Sequence, residues 1–315
     1  MMNINIRCLN IFKLSIYTLF LSSGSIMAEE GGSGHYMPGS MASFMDGVAS
    51  EPSFLLRLNY LYYSGEADVT IPLGGQHVVD MKARSNVLGI TAFWSPEWGI
   101  IDEKWNYAMS ATIPVVDMDV SGRVSPLSVN DDLTKIGDIV LMPLMLNYKV
   151  NEDFNINTRL ALYAPTGDYE AGRLSNTGKN FWTVEPTVGF MYFGKNNGRE
   201  ASLFIGADFN EKNDATDYKS GTQVHFDGTL AQHFPFKNGL AGVGVTGYYY
   251  KQVTDDSGSG ATLGAFRAKA AGVGPVLSYI SHSGEILGEI KYIHDIENER
   301  RLKGDTIFFK LTGKF

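Results

Sequence analysis

The residues most suggestive of chemistry lie on one predicted strand. His225 and Asp227 are two positions apart and so share one face of an extended chain, with His233 further along that face. A histidine beside a carboxylate is half of a serine-hydrolase triad. The sequence has no Gly-x-Ser-x-Gly motif to complete it. Hydrolysis is therefore only an alternative function, and we predict no catalytic residues and no enzyme activity.

The sequence gives even less support for a metal site, a reactive thiol or nucleic-acid binding. The six histidines show no ligand spacing such as His-Glu-x-x-His. The single cysteine, Cys8, lies near the N-terminus, so the rest of the chain has no disulfide, no thiolate nucleophile and no cysteine metal site. A formal net charge of −8 leaves no electrostatic footprint for nucleic acid. We therefore predict no metal, no cofactor and no nucleic-acid partner.

The first 28 residues have the layout of a secretory signal peptide. Arg7 and Lys13 flank an apolar run over residues 11–21, and Ala28 is a small residue suited to cleavage. The apolar run is too short to span a bilayer. We expect residues 1–28 to be removed on export, and the loss of those two cations takes the formal charge from −8 to −10.

Apolar and polar residues alternate with a period of two from residue 53 to the end of the chain. In the last segment Ile307, Phe309, Leu311 and Phe315 share one parity, whereas Lys310 has the other. One face of such a strand suits lipid and the other suits water. An aromatic residue at the end of such a strand resembles the signal that the outer-membrane assembly machinery recognises, so Phe315 is the predicted assembly signal.

About 12 segments of this kind follow one another. They cover residues 54–62, 87–94, 105–113, 138–148, 154–164, 181–193, 201–210, 222–234, 240–253, 267–281, 284–294 and 306–315. Short turns and longer polar loops alternate between them, which favours a barrel with its long loops at one end over a soluble sandwich. Because no apolar stretch after the signal approaches the roughly 18 residues of a membrane helix, only a closed barrel could span a bilayer.

The sequence therefore predicts an all-β fold, a transmembrane antiparallel β-barrel of about 12 strands in the outer membrane of a Gram-negative bacterium. Residues 1–28 form the signal peptide, residues 29–52 form an N-terminal plug or periplasmic segment, and residues 53–315 form the barrel. Several aromatic residues, including Trp94, Trp98 and Trp105, lie at strand ends. They suit an interfacial girdle, although aromatic residues are also common in strands generally.

Strand parity predicts which side chains line the lumen. The polar candidates carry both charge signs, which favours cross-strand ion pairs over a ring of one sign. One segment breaks the polar-inside rule, because its inward positions would be apolar. The predicted lumen-lining residues are Arg57, Asn59, Ile139, Leu141, Met145, Arg159, Glu185, Asp208, His225, Asp227, Glu289 and Lys310. The apolar patch could accept hydrophobic small molecules or hold a plug.

Two short segments resemble those of a known bacterial family. The first runs from Gly34 to Gly39 and continues from Ser43 to Gly47, and the second is the Ala-Pro-Thr-Gly-Asp-Tyr run that ends at Tyr169. Both resemble motifs of the meta-pathway phenol-degradation outer-membrane proteins. That resemblance implies a transporter-like barrel, often encoded with aromatic catabolism. The predicted plug residues are Tyr36, Met37, Pro38, Gly39 and Phe44.

The expected function is passive uptake of small hydrophobic or aromatic molecules through an outer-membrane channel or transporter. The expected partners are outer-membrane lipid, the barrel assembly machinery and the transported solute. Two alternatives stay open. One is the outer-membrane hydrolase considered above. The other is a structural or adhesive barrel whose long loop, residues 117–135, contacts another surface.

Overall fold

A computed structural model describes residue 30 and residues 33–67, 70–264 and 267–315. The predicted signal peptide lies outside this range. Nearly all regular structure in it is antiparallel strand, and two short 3-10 turns occupy Phe44–Asp46 and Glu97–Gly99. Among these residues, no helix is long and apolar enough to cross a membrane.

Fourteen strands occur in the described part of the chain. They are β1 (Ser53–Ala67), β2 (Ile71–Leu73), β3 (Gln76–Ser95), β4 (Trp105–Val124), β5 (Leu127–Ile136), β6 (Ile139–Lys149), β7 (Phe154–Ala164), β8 (Thr183–Phe193), β9 (Arg199–Asn210), β10 (Gln223–Phe236), β11 (Gly239–Gln252), β12 (Lys269–Ser281), β13 (Ile286–Glu299) and β14 (Lys303–Lys314).

Twelve of these strands form a closed barrel, and β2 and β5 are additional. The barrel closes where β1 pairs with β14, from Leu55 opposite Lys314 to Glu66 opposite Lys303. β5 and β6 pair with successive parts of β4, so β5 extends β6 beyond the barrel rim. The predicted all-β barrel of about 12 strands is confirmed.

Connections between neighbouring strands differ in length at the two ends of the barrel. Short turns follow β6, β8, β10 and β12, whereas the connections that follow β7, β9 and β11 are longer and lie at the opposite end. We call these the turn end and the loop end. The stretch 117–135, predicted as a loop, is instead a hairpin in which Asp119 pairs with Asp132. The period-two pattern is hard to recognise there because β5 has polar residues at both parities and none of its side chains is fully buried. On β4, in contrast, Val120 is buried.

The outer surface of the barrel is apolar. Leu58 of β1, Ile90 of β3, Leu230 of β10 and Leu277 of β12 are all largely exposed, whereas the next residue on each strand faces inward. A soluble protein of this size does not normally expose an apolar band around its whole circumference. Hydrocarbon is the environment that suits such a surface.

Aromatic side chains cluster on the outer surface at the turn end. Trp98 packs edge-on against Trp94, with ring centroids 6.3 Å apart, and stacks on Tyr107 at 5.1 Å. Trp105 packs on Tyr148 at 4.8 Å. Rings with polar tips at the rim of an apolar band are typical of a membrane interface.

The parity prediction for β6 is wrong at Leu141 and Ile139. Leu141 is 39% exposed on the outer surface, and Ile139 has the same parity. Val140 and Met142 face the lumen instead. The cause is a bulge at Pro143, where the register between β6 and β7 shifts between Leu141 and Leu144. A bulge adds one residue and so exchanges the two faces, which is why Met145, beyond it, does point inward and is buried.

The C-terminal residue lies on the outer surface. Phe315 is 79% exposed, and its backbone N–H donates to the carbonyl of Phe54 over 3.0 Å, across the closing seam. The side chain is therefore accessible on the finished barrel. Its role as an assembly signal stays a prediction.

A positive charge in the middle of the apolar band should destabilise the barrel. Val245, near the middle of β11, is 55% exposed, and Val253 just beyond the end of the same strand is 37% exposed. We expect Val245→Arg to lower the free energy of unfolding from a bilayer by about 2–4 kcal/mol and Val253→Arg to lower it by about 0–1 kcal/mol. Urea titration in lipid vesicles measures both. Equal effects of the two substitutions would contradict a lipid-facing band.

Candidate functional site in the barrel lumen

The N-terminal segment, residues 33–52, lies against the inner wall of the barrel. Its residues Tyr36, Ala42, Ser43, Met45 and Asp46 are buried. A 3-10 turn forms at Phe44–Asp46 because Ser43 caps it: the Ser43 hydroxyl accepts from the Met45 N–H, and the Asp46 carboxylate accepts from the Ser43 N–H. This capping box fixes the direction in which the Asp46 carboxylate points.

Cations of the barrel wall converge on this turn. Arg57 of β1 donates to the Asp46 carboxylate over 3.0 Å and also to the carbonyl of Met45. Lys310 of β14 donates to the same carboxylate over 3.1 Å. Arg159 of β7 donates to the Asp46 carbonyl over 2.5 Å.

A fourth cation of the barrel wall binds the N-terminal segment at a residue that precedes the 3-10 turn. Lys291 of β13 donates to the carbonyl of Met41 over 2.7 Å. It also lies 3.5 Å from Glu289, which is 3.5 Å from Lys310 on the neighbouring strand. The predicted cross-strand pairing of opposite charges therefore occurs between Glu289 and Lys310, which are directly opposite in the sheet.

Asp46 is the electrostatic centre of the arrangement. Burial alone would raise its pKa, but the cations of Lys310 and Arg57 outweigh burial and hold the pKa of Asp46 well below its usual value. Asp46 is thus a carboxylate at neutral pH. Sequence reasoning missed this residue, although the Ser43-x-x-Asp46 spacing of a capping box was visible.

Tyr36 anchors the segment on the opposite side of the lumen. Its ring stacks on His225 with centroids 3.7 Å apart, and its hydroxyl donates to Asp227 over 2.6 Å. The N–H of Gly39 donates to the other oxygen of Asp227 over 2.8 Å. Gly39 has φ +83°, and a Cβ there would lie 2.1 Å from the Ile293 side chain, so this close approach requires glycine.

His35 makes a third attachment, which sequence reasoning also missed. Its Nε2 lies 2.9 Å from the carboxylate of Asp138, between β5 and β6, and its Nδ1 lies 2.7 Å from the hydroxyl of Thr183. The ring stacks on Tyr163 at 4.9 Å. Burial lowers the pKa of His35, and the Asp138 carboxylate opposes that shift only in part.

The geometry around His225 does not form a hydrolase triad. Its Nδ1 lies 3.4 Å from Asp227 and its Nε2 lies 3.3 Å from Glu185, so both ring nitrogens face carboxylates and neither faces a serine hydroxyl. His233 pairs with a different acid, Glu200, over 2.7 Å. His225 and His233 therefore contact different carboxylates and do not form one site.

The remaining predicted residues fall into two groups. The lumen candidates Asn59, Met145, Asp208 and Glu289 lie on the inner wall, where Asn59 donates to the hydroxyl of Thr91 over 2.9 Å. The predicted plug residues do not all behave alike. Phe44 packs against Phe193 at 5.7 Å, whereas Met37 is 41% exposed and, with Pro38, borders open space.

That open space is a cavity of about 420 Å³ inside the barrel. β3, β4 and β6 contribute much of its wall, and residues of β1, β7, β8 and β14, among them Arg57, Arg159 and Lys310, also border it. Towards the loop end its lining is mainly apolar. The apolar lining residues include Leu73, Met81, Ala83, Val87, Pro114, Val116, Met118, Val120, Val140, Met142, Leu174, Leu302 and Phe308. On the remaining side Tyr36, Met37 and Met41 of the N-terminal segment border it. The volume suits a small molecule.

Removing the charge of Asp46 should release the N-terminal segment. Asp46→Asn removes the carboxylate that Arg57 and Lys310 share and leaves the buried Arg57 without it. Breaking a buried ion pair costs on the order of 3–5 kcal/mol. In a chain that starts after the signal peptide, Met45→Cys supplies the only thiol. We expect the maleimide labelling rate at that thiol to rise at least tenfold on adding Asp46→Asn (roughly the effect of 1.4 kcal/mol).

The matched control is Asp305→Asn, which removes a carboxylate from the exposed end of β14. That variant should label at the wild-type rate. Equal labelling of the Asp46→Asn and Asp305→Asn proteins would contradict the anchoring role of Asp46.

Comparison with known proteins supports both the fold and a family assignment. No curated protein sequence matches the chain. An outer-membrane channel from Pseudomonas putida F1 has a similar crystal structure, with a TM-score of 0.67 and 18% identity over 89% of this chain and 100% of that one. The translocator domain of autotransporter NalP from Neisseria meningitidis is less similar, with a TM-score of 0.48 and 10% identity over 86% and 90% of the two chains. The family model described as "Putative MetA-pathway of phenol degradation" matches residues 67–311, and the chain therefore belongs to that family, as the resemblance of its motifs predicted.

Proposed function

We propose that the protein is an outer-membrane channel through which small hydrophobic or aromatic molecules enter passively. The observation that carries the proposal is the apolar cavity inside a barrel whose outer surface is also apolar. A polar solute gains little from the apolar part of this lining, because its hydrogen bonds to water would be lost there without replacement. An apolar solute is favoured there, because it leaves water for an apolar surface.

The chain's relatives agree with this proposal in two respects. Its family is described by a pathway of phenol degradation, which names an aromatic compound. The similar Pseudomonas putida structure is described as an outer-membrane channel. On this basis the loop end faces the cell exterior and the turn end faces the periplasm, which is the usual arrangement of such barrels.

The N-terminal segment acts in this proposal as a plug that narrows the periplasmic half of the lumen. Four wall cations bind it, at Asp46 and at the backbone carbonyls of Met41, Met45 and Asp46. A solute that enters at the loop end then meets Met37 and Met41 before it can leave. Methionine is unbranched and adaptable, which suits a surface that accepts differently shaped solutes.

Filling the cavity should block uptake. Val87 lines the cavity on the inner face of β3, and Leu88 next to it is exposed on the outer face. We expect Val87→Trp to lower the entry of an uncharged aromatic solute into proteoliposomes several-fold, because the indole occupies the space that the solute needs. Leu88→Trp adds the same side chain to the lipid face and should leave entry unchanged.

The assay separates transport from an adhesive role. The fluorescence of a dye enclosed in the liposomes reports solute entry. Entry of a sugar of similar size is measured as the polar comparison. Equal entry through the wild-type and Val87→Trp proteins, or no entry above protein-free liposomes, would refute the channel proposal.

A further inference from the structure

A compact group of metal-ligating side chains lies in the barrel wall behind the N-terminal segment. Glu185 of β8, Asp208 of β9 and His225 of β10 each offer one ligand atom, and these atoms all lie within 4.8 Å of one another. All three side chains are buried. Ligands that lie about 2.0–2.2 Å from one tetrahedral zinc ion are roughly 3.5 Å apart, so side-chain shifts of about 1 Å would bring the three groups into a single coordination sphere.

Strand register creates this juxtaposition. Glu185 and Asp208 lie across from each other on β8 and β9, between the pairs Val184–Phe209 and Thr187–Gly206. His225 is opposite Gly206, two residues from Asp208. The residues are 23 and 17 positions apart in the chain, so no local spacing motif reports them, and this is why the sequence predicted no metal site.

Three buried carboxylates lie close together at this place. Glu185, Asp208 and Asp227 are buried carboxylates around one imidazole. Arg159, a nearby wall cation, donates to the side chain of Asn157 and to the carbonyl of Asp46. Burying several carboxylates near each other is costly unless a cation compensates them. A divalent ion would lower that cost further.

A second observation points to a missing ligand. Gln223 is fully buried on the same face of β10 as His225 and is directly opposite Asp208. Among the described residues, neither its amide oxygen nor its amide nitrogen has a hydrogen-bond partner. A buried amide without partners costs free energy, and an ion with bound water beside Asp208 would supply a partner for it.

We propose that Glu185, Asp208 and His225 bind one divalent transition-metal ion of the zinc type. Two carboxylate oxygens and one imidazole nitrogen are a donor set for zinc and its first-row neighbours, whereas magnesium and calcium prefer oxygen alone. Glu185 also lines the cavity, so an ion can reach the site from the lumen. The bound ion ties together β8, β9 and β10.

The site also contacts the N-terminal segment. Tyr36 stacks on the ring of His225 and donates to Asp227, which lies beside His225 on β10. An ion bound to His225 fixes the orientation of that ring. The metal site thereby stabilises the surface on which Tyr36 rests, and this part of the inference does not depend on which solute the lumen passes.

Metal titration of the folded barrel tests the proposal. The mature chain is refolded in detergent, stripped with a chelator and titrated with Zn²⁺ alone, and bound zinc is counted by elemental analysis. We expect one Zn²⁺ per chain. Asp208→Asn and Glu185→Gln should each weaken binding by more than about tenfold, the loss that follows even when an outer partner of a metal ligand is removed. Asp295→Asn, which changes a buried carboxylate on β13, should bind as the wild type does.

A spectroscopic measurement keeps the test decisive if a variant fails to fold. X-ray absorption at the zinc edge of the wild-type protein should show one imidazole nitrogen and oxygen neighbours at about 2.0–2.2 Å. Substoichiometric zinc, a first shell without imidazole, or equal affinities of folded wild-type and Asp208→Asn proteins would overturn the proposal. In that case His225 pairs with Glu185 and Asp227 without a metal.

Discussion

The closed antiparallel ladder is the constraint on which the rest of the structure depends. Once β1 pairs with β14, the twelve barrel strands have no free edge, and each of them must send alternate side chains outward and inward. The outward set is apolar. The inward set includes Arg57, Arg159, Lys291 and Lys310, and a charged side chain inside a barrel needs a partner. The N-terminal segment provides that partner, chiefly through Asp46.

This requirement divides the lumen into two regions. Where the wall carries Arg57, Arg159 and Lys310, the segment binds these cations through a capped turn and backbone carbonyls, and the cavity reaches the edge of this group. Where β3, β4 and β6 present apolar or small residues, the space stays open as the cavity. In our proposal the open region selects apolar solutes and the filled region narrows their exit. The same chain segment thus neutralises the wall and defines the path.

The sequence reveals much of the fold because the barrel obeys a simple period. Parity alone placed Arg57, Glu185, His225 and Lys310 on the inner face, where they are buried. It failed at Leu141 because a bulge at Pro143 shifts the register by one residue, and the sequence shows the proline but not the direction of the shift.

The site was harder to predict than the fold. Asp46, His35 and Asp138 meet their partners over long separations in the chain, and no local pattern reports a contact such as that between Asp46 and Lys310. The group of Glu185, Asp208 and His225 illustrates the same limit, since it exists only once three strands are in register. Residue types and parity indicate which side chains share the lumen, whereas the partner of each one depends on the path of the N-terminal segment.

A crystal structure of the detergent-folded protein grown with a brominated aromatic solute tests most directly whether the solute and the N-terminal segment share the lumen. We expect anomalous bromine density in the lumen between Val87 and Met118, with Asp46 bound to Arg57 and Lys310. Bromine density only on the outer surface, or a lumen from which the N-terminal segment is absent, would contradict it.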